Sequence, residues 1–216
     1  STLQFTEPVG EPIAQHFRYM LLQNLALHPT IAVWVLKSMT DRGYFGPREQ
    51  AISREWVRFS ETHAEELYKR PWIPAGEPGY GKVEIYSYGD RGKGWVFFIN
   101  PHFLSQTVTF PVNETSGFGA AQHYSIQETT PYKRWRMFAG SPLARAGSSF
   151  DIDVPAYTVV LLRLTPPDPA WTSQKAILAG AEPTPEGGVA ALPGEQVEWA
   201  EFDVSQPDAP RMLRSG

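Results

Sequence analysis

Lys-Val-Glu-Ile-Tyr-Ser-Tyr-Gly-Asp-Arg-Gly-Lys-Gly-Trp-Val-Phe-Phe-Ile-Asn-Pro, residues 82–101, is the stretch that decides the fold. Lys82 to Tyr88 alternates, with Val83 and Ile85 on one face and Glu84 and Tyr86 on the other, the period of a β-strand. Gly89 to Gly94 reads as a hairpin connection. It has neither the strand–turn–helix context nor the spacing of a phosphate-cradling loop. Trp95-Val96-Phe97-Phe98-Ile99 is apolar on both faces, as a central strand should be, and Asn100-Pro101 stops it.

Working outward toward the C-terminus, further strands are expected at Gln106–Val112, Gln122–Gln127, Lys133–Phe138, Ser149–Val154 and Tyr157–Leu164. Short strands spaced by about a dozen residues indicate an all-β sandwich. Pro166-Pro167-Asp168-Pro169 ends this unit. From there to Gly216 the chain is rich in Pro, Gly and Ala and reads as an extended arm or linker to a further domain, with one strand at Gln196–Val204.

Toward the N-terminus the period changes to that of helices. Ile13, Phe17, Met20, Leu21 and Asn24 share one face of a first helix that starts near Pro12 and ends before His28-Pro29. Ile31–Met39 is a short apolar segment compatible with helix or strand, and Asp41–Pro47 is a loop. A second helix spans Arg48–Tyr68, with Ile52, Trp56, Phe59, His63 and Leu67 on its buried stripe. Arg54, Glu55, Arg58, Glu61, Glu65 and Glu66 form its solvated face. The Pro- and Gly-rich stretch Pro71–Gly81 breaks the pattern before the first strand.

Composition bounds the function. Hydrophobic residues at 42% and aromatics at 13% of 216 residues are those of a folded chain with a real core. A net charge of -4 argues against nucleic acid as a partner, and the longest apolar run, Ile31–Leu36, is far too short to span a membrane. The absence of Cys excludes disulfides and thiolate chemistry without fixing the compartment. Ser1-Thr2-Leu3-Gln4-Phe5 has no leader pattern and no initiator Met, which leaves open a signal upstream and a processed or excised chain.

Chemical motifs are sparse. None of the five His residues forms a helical pair with a nearby Glu, and no Ser sits in a Gly-x-Ser-x-Gly elbow, so no metal and no cofactor is expected. His63 on its apolar stripe reads as a core residue. Asp151 and Asp153 share a strand face, where acids ordinarily guard a sheet edge. Asp41, beside Arg42 and Tyr44, is the acid best placed to reach a cleft, although a turn residue is its ordinary role. Sugar rings stack on flat apolar faces, which brings forward Trp72, Trp95, Tyr132 and Trp135. Trp95 reads as core, and Trp72 as a pin between the helical and strand regions. Asp41, Tyr44 and Trp72 are therefore the candidate substrate-binding residues.

The order of motifs resembles a known group. Glu-Leu-Tyr-Lys-Arg (66–70) leads to Gly-Glu-Pro-Gly-Tyr-Gly (76–81), then Val-Glu-Ile-Tyr-Ser-Tyr (83–88), Trp-Val-Phe-Phe-Ile-Asn-Pro (95–101) and Val-Pro-Ala-Tyr-Thr-Val-Val-Leu-Leu-Arg-Leu (154–164). Over residues 10–165 this is similar to the barrel end and C-terminal sandwich of bacterial α-galactosidase-like glycoside hydrolases. The resemblance implies a mainly β chain, an antiparallel β-sandwich preceded by a helical segment like the end of a (β/α)8 barrel. Its parts would be 1–81 helical, 82–165 sandwich and 166–216 arm. It also implies a carbohydrate substrate, a periplasmic or secreted setting, and a catalytic barrel upstream or on a larger partner chain. Family nucleophile and acid/base are carboxylates at barrel strand ends. No acid here matches such a motif, so no catalytic residue is transferred. A non-catalytic carbohydrate-binding or protein-interaction module is the alternative.

Overall fold

The computed structural model describes residues 12–26, 46–76, 79–90, 92–131, 134–136, 141–167, 173–179, 181–183, 189–191 and 198–216. Ile31–Met39, Asp41, Tyr44, Tyr132 and the side chains of Ile13 and Phe17 lie outside the described residues.

The chain is mainly β and antiparallel. Its centre is a six-stranded sheet in the order β1 (Glu84–Asp90), β2 (Lys93–Asn100), β8 (Thr158–Thr165), β4 (His123–Thr130) and β5 (Arg134–Trp135), with β6 (Leu143–Arg145) also on β4. A two-stranded sheet, β3 (Gln106–Pro111) with β7 (Ser149–Val154), completes the sandwich. The expected hairpin is present: Asp90 pairs with Lys93 across a two-residue turn, and Gly92 takes φ +80°.

The two-faced strands explain themselves in the packing. Trp95, Phe97 and Ile99 of β2 point with Tyr86, Tyr88, Val159 and Leu161 into a core shared with the helices. Val96 and Phe98 point the other way, with Val160, Leu162 and Leu164, into the core closed by Phe110, Phe150 and Ile152 of the smaller sheet. Strands buried on both faces have no polar side to present, so they read as apolar runs.

Helix α1 (Pro12–Ala26) packs through Tyr19, Leu21, Leu22 and Leu25. The expected stripe is thus only partly right. Leu21 is buried and Met20 packs beside the core as expected, but Leu22 and Leu25 are buried more deeply, and the Asn24 amide turns back to the Met20 carbonyl at 2.8 Å. Helix α2 (Pro47–Thr62) opens with Pro in its first turn, and the Glu49 carboxylate accepts the Gly46 N–H at 2.9 Å. Ile52 and Trp56 are buried and Phe59 packs beside them, as the periodicity predicts. The helix breaks at His63 and resumes as a single turn, α3 (Ala64–Leu67). One expectation is corrected at Glu66, which stands three residues after His63 and seven after Phe59 and therefore on their face of the helix. Glu66 does not belong to the solvated face with Glu61 and Glu65. It faces the sheet.

Residues 166–216 hold more structure than an arm with one strand. β9 (Ser173–Ala179), β12 (Glu198–Asp203) and β13 (Arg211–Ser215) form an antiparallel sheet, and β10 (Ala181–Pro183) pairs with β11 (Val189–Ala191). Ala200, Phe202 and Val204 bury themselves against Leu143, with Trp135 packed alongside. Asp208 lies 3.1 Å from Nε2 of the buried His123 in β4. The Pro- and Gly-rich spacers between these short strands hide their period from a sequence reading.

Candidate functional site: a groove at the end of the sandwich

The site is assembled by a buried amide. Asn100, at the end of β2, has no exposed surface. Its Nδ2 donates to the carbonyls of Leu104 at 2.8 Å, Val154 at 2.9 Å and Pro155 at 3.1 Å. Its Oδ1 accepts from the His102 N–H at 3.0 Å and from Gln106 Nε2 at 2.9 Å. Gln106 Nε2 also reaches the Gly81 carbonyl at 2.9 Å. One side chain therefore fixes the loop after β2, the turn before β8 and, through Gln106, the turn before β1. A side chain whose polar atoms are all engaged in the interior holds its surroundings in one arrangement.

The three segments enclose an open groove of ≈ 670 Å³. Its walls are the Gly79–Gly81 turn with Glu84 on one side, and Pro101, His102, Phe103 and Tyr157 on the other. The rings are unusually exposed: 107% for Tyr80, 64% for Phe103 and 53% for Tyr157. The His102 ring stacks on Phe103 at 4.2 Å between centroids. His102 Nδ1 accepts the Leu104 N–H at 3.2 Å, which assigns the proton of the neutral imidazole to Nε2. Tyr157 sits at φ +48° with its N–H on the His102 carbonyl at 3.1 Å. A non-Gly residue held there costs on the order of 1–3 kcal/mol, and such strain concentrates at binding sites. Glu84 accepts the Tyr86 hydroxyl at 3.0 Å. Behind the groove, burial, then Glu84 and Tyr157, push the Tyr19 phenol up to about 12.

Of the candidates from sequence, Trp72 lies outside this groove. Its backbone bridges Ser87 of β1, donating to the Ser87 carbonyl at 2.7 Å and accepting from its N–H at 2.9 Å. That is three residues along β1 from Glu84, roughly 10 Å at ~3.4 Å per residue. Its indole nitrogen lies 2.8 Å from where a Cβ on Gly117 would stand, so the ring rests on a glycine surface. Trp72 pins the segment after the helices to the sheet, and its ring is 48% exposed. Trp95 is core, at 6% exposure. Asp151 and Asp153 accept the hydroxyls of Thr109 and Thr107, each at 2.6 Å, on an exposed strand face.

Sequence reasoning missed Tyr80, Glu84, His102, Phe103 and Tyr157 as a group. The available signal was aromatic residues in turns, which have no core to fill. Among the described residues, no group of three or more His, Asp or Glu is placed to hold a metal ion. Glu84 is the one carboxylate among the described residues that line the groove.

A second polar cluster joins the helices to the sheet. Glu66 of α3 accepts from Trp95 Nε1 at 2.7 Å and holds Arg163 of β8 through both guanidinium ends. The Arg163 guanidinium lies 4.6 Å over the Trp95 ring centroid. Burial raises the Glu66 carboxyl, but the bonds and charge of Arg163, helped by Trp95 and His63, bring it down to about 2. The His63 ring packs on Trp95 at 4.7 Å, and burial, against the pull of Glu66, lowers its pKa.

Neither a protein-family model nor a curated protein matches the sequence. Solved structures show weak likeness. A Bacillus halodurans protein described as a putative alpha-N-acetylgalactosaminidase is 16% identical, with a TM-score of 0.34 over 47% of this chain and 20% of its own. Alpha-galactosidase from Saccharomyces cerevisiae, solved with raffinose, is 10% identical, with a TM-score of 0.38 over 74% of this chain and 44% of its own. A GH30 endoxylanase from Clostridium papyrosolvens is 17% identical, with a TM-score of 0.23 over 42% of this chain and 21% of its own. The chain spans less than half the length of each. The likeness is of fold at a coarse level and carries no argument about activity.

Proposed function

We propose that this chain is the C-terminal portion of a glycoside hydrolase of the α-glycosidase type, in which the sandwich supports a catalytic barrel carried upstream or on another chain. The observation that carries the reading is the joint between the helical layer and the sheet. The helices that resemble the end of a barrel bury Leu22, Leu25, Trp56 and Leu67 against β1, β2 and β8, and Glu66 clamps Arg163 and Trp95 across the same interface. A support has to fix position, and an apolar interface with an oriented bidentate pair does so. The order of motifs from Glu66 to Leu164 agrees with this reading.

The test is hydrolysis of a broad panel of aryl α-glycosides by the intact gene product. Release of the aryl group from at least one member is expected. An intact product that carries both barrel acids and is inert on the whole panel overturns the proposal. A non-catalytic carbohydrate-binding module is the second reading, favoured by the exposed rings around the groove, and the same inert result would leave it standing.

A further inference from the structure

We propose that the groove between the Gly79–Gly81 turn and the loop after β2 is a carbohydrate subsite for a neutral pyranose unit. Tyr80, Phe103 and Tyr157 would supply flat apolar faces, and Glu84 and His102 the groups that meet ring hydroxyls. This deepens the glycoside-hydrolase reading and rests on it for the choice of sugar as ligand class.

A pyranose ring presents C–H groups on its faces and hydroxyls around its edge. A complementary site therefore needs exposed aromatic planes with an acceptor and a donor beside them. The groove has each. Tyr80 is fully exposed in a turn, where its ring contributes nothing to a core. The His102 ring backs one face of Phe103 and leaves the other face of that ring to a ligand. The Glu84 carboxylate is an acceptor, and His102 carries its donor at Nε2 because Nδ1 is engaged by Leu104. A volume of ≈ 670 Å³ falls within the range of small-molecule sites, roughly 300–1,000 Å³.

Two further observations favour a built site and a neutral ligand. Asn100 fixes the three walls through its own hydrogen bonds, and Tyr157 is held at φ +48° in the turn before β8 with its N–H on the His102 carbonyl. Preorganisation of this kind lowers the cost of binding. The rings and Glu84 by themselves could also suit a quaternary ammonium. The Lys82 stem, however, lies against the Gly79 turn, 3.3 Å from where a Cβ on Gly79 would stand. It brings a competing ammonium to the rim.

The experiment is affinity electrophoresis of the 216-residue chain in native gels cast with galactomannan, xylan or amylose. Retardation is expected in at least one gel. The Tyr80→Ala/Phe103→Ala double variant, which removes two exposed rings and no core, is expected to lose at least about tenfold in affinity while its circular dichroism and melting temperature stay unchanged. No retardation in any of the three gels, or equal retardation of the double variant, overturns the proposal. So does retention that tetramethylammonium chloride abolishes and free monosaccharide does not. The gel reads binding without turnover. Failure here alongside an active intact product therefore removes the groove assignment alone.

Discussion

Replacing Glu66 by Gln tests whether the helical layer and the sandwich are one mechanical unit. The wild-type carboxylate takes two bonds from Arg163 and one from Trp95 Nε1, with the Glu66 and Arg163 side chains 22% and 16% exposed. Glutamine keeps the volume and one acceptor for Trp95. Its amide NH₂, however, meets a guanidinium N–H, so one bond is lost and the Arg163 charge stays unpaired above the indole. Removing one partner of a fully buried pair costs about 3–5 kcal/mol; the residual exposure here reduces that to about 2 kcal/mol. For a chain of this size the melting temperature should fall by about 4–8 °C. Urea titrations of wild type, Glu66→Gln, Arg163→Met and the double variant give the coupling energy, expected near 1.5 kcal/mol. A loss below about 0.5 kcal/mol for Glu66→Gln, or effects that add within about 0.5 kcal/mol, would refute the clamp.

The same carboxyl sets an acid limit. Its folded pKa of about 2 lies below the ordinary 4.5, so its contribution is complete above 4.5 and is lost as pH falls toward 2. The gap in urea midpoint between wild type and Glu66→Gln should therefore close over that interval, and a gap that widens on acidification would contradict the sign. Asn100→Ala removes the side-chain donor from one buried and two part-buried carbonyls and the acceptor from Gln106 and the His102 N–H. A loss of about 3–4 kcal/mol is expected in chemical denaturation, with faster hydrogen exchange in the 101–105 loop; a loss under about 1 kcal/mol would mean the amide is dispensable. Gly117→Ala would place a Cβ 2.7 Å from the Gly89 carbonyl and 2.8 Å from the Trp72 indole nitrogen, at φ +82°. It should cost about 2–4 kcal/mol, and a change in Trp72 fluorescence should accompany the shift in thermal midpoint.

Much of the fold is legible because burial imposes period. Residues 95–99 and 159–162 face a core on each side, and no other placement accommodates so continuous an apolar run. β6 escaped because three residues, Leu143–Arg145, are too few to establish an alternation. The groove was less legible for a different reason. Tyr80, His102 and Tyr157 stand in three separate turns, and only the pairing of β1, β2 and β8, with Asn100 behind it, brings them together. Glu66 was misread because its charge suggested the solvated side, although its spacing from Phe59 and His63 puts it on the buried face, and its partner lies 97 residues away. Trp72 joins the segment after the helices to β1, and its position along that strand separates it from the groove lined by Tyr80 and Tyr157.

Turnover of aryl α-glycosides, measured in parallel for the intact gene product and for the 216-residue chain alone, tests the support role most directly. The intact product should release the aryl group, and the chain alone should show no rate above buffer. Sustained turnover by the chain alone would contradict the claim that its sandwich supports catalytic carboxylates carried elsewhere, and so would an intact product without activity.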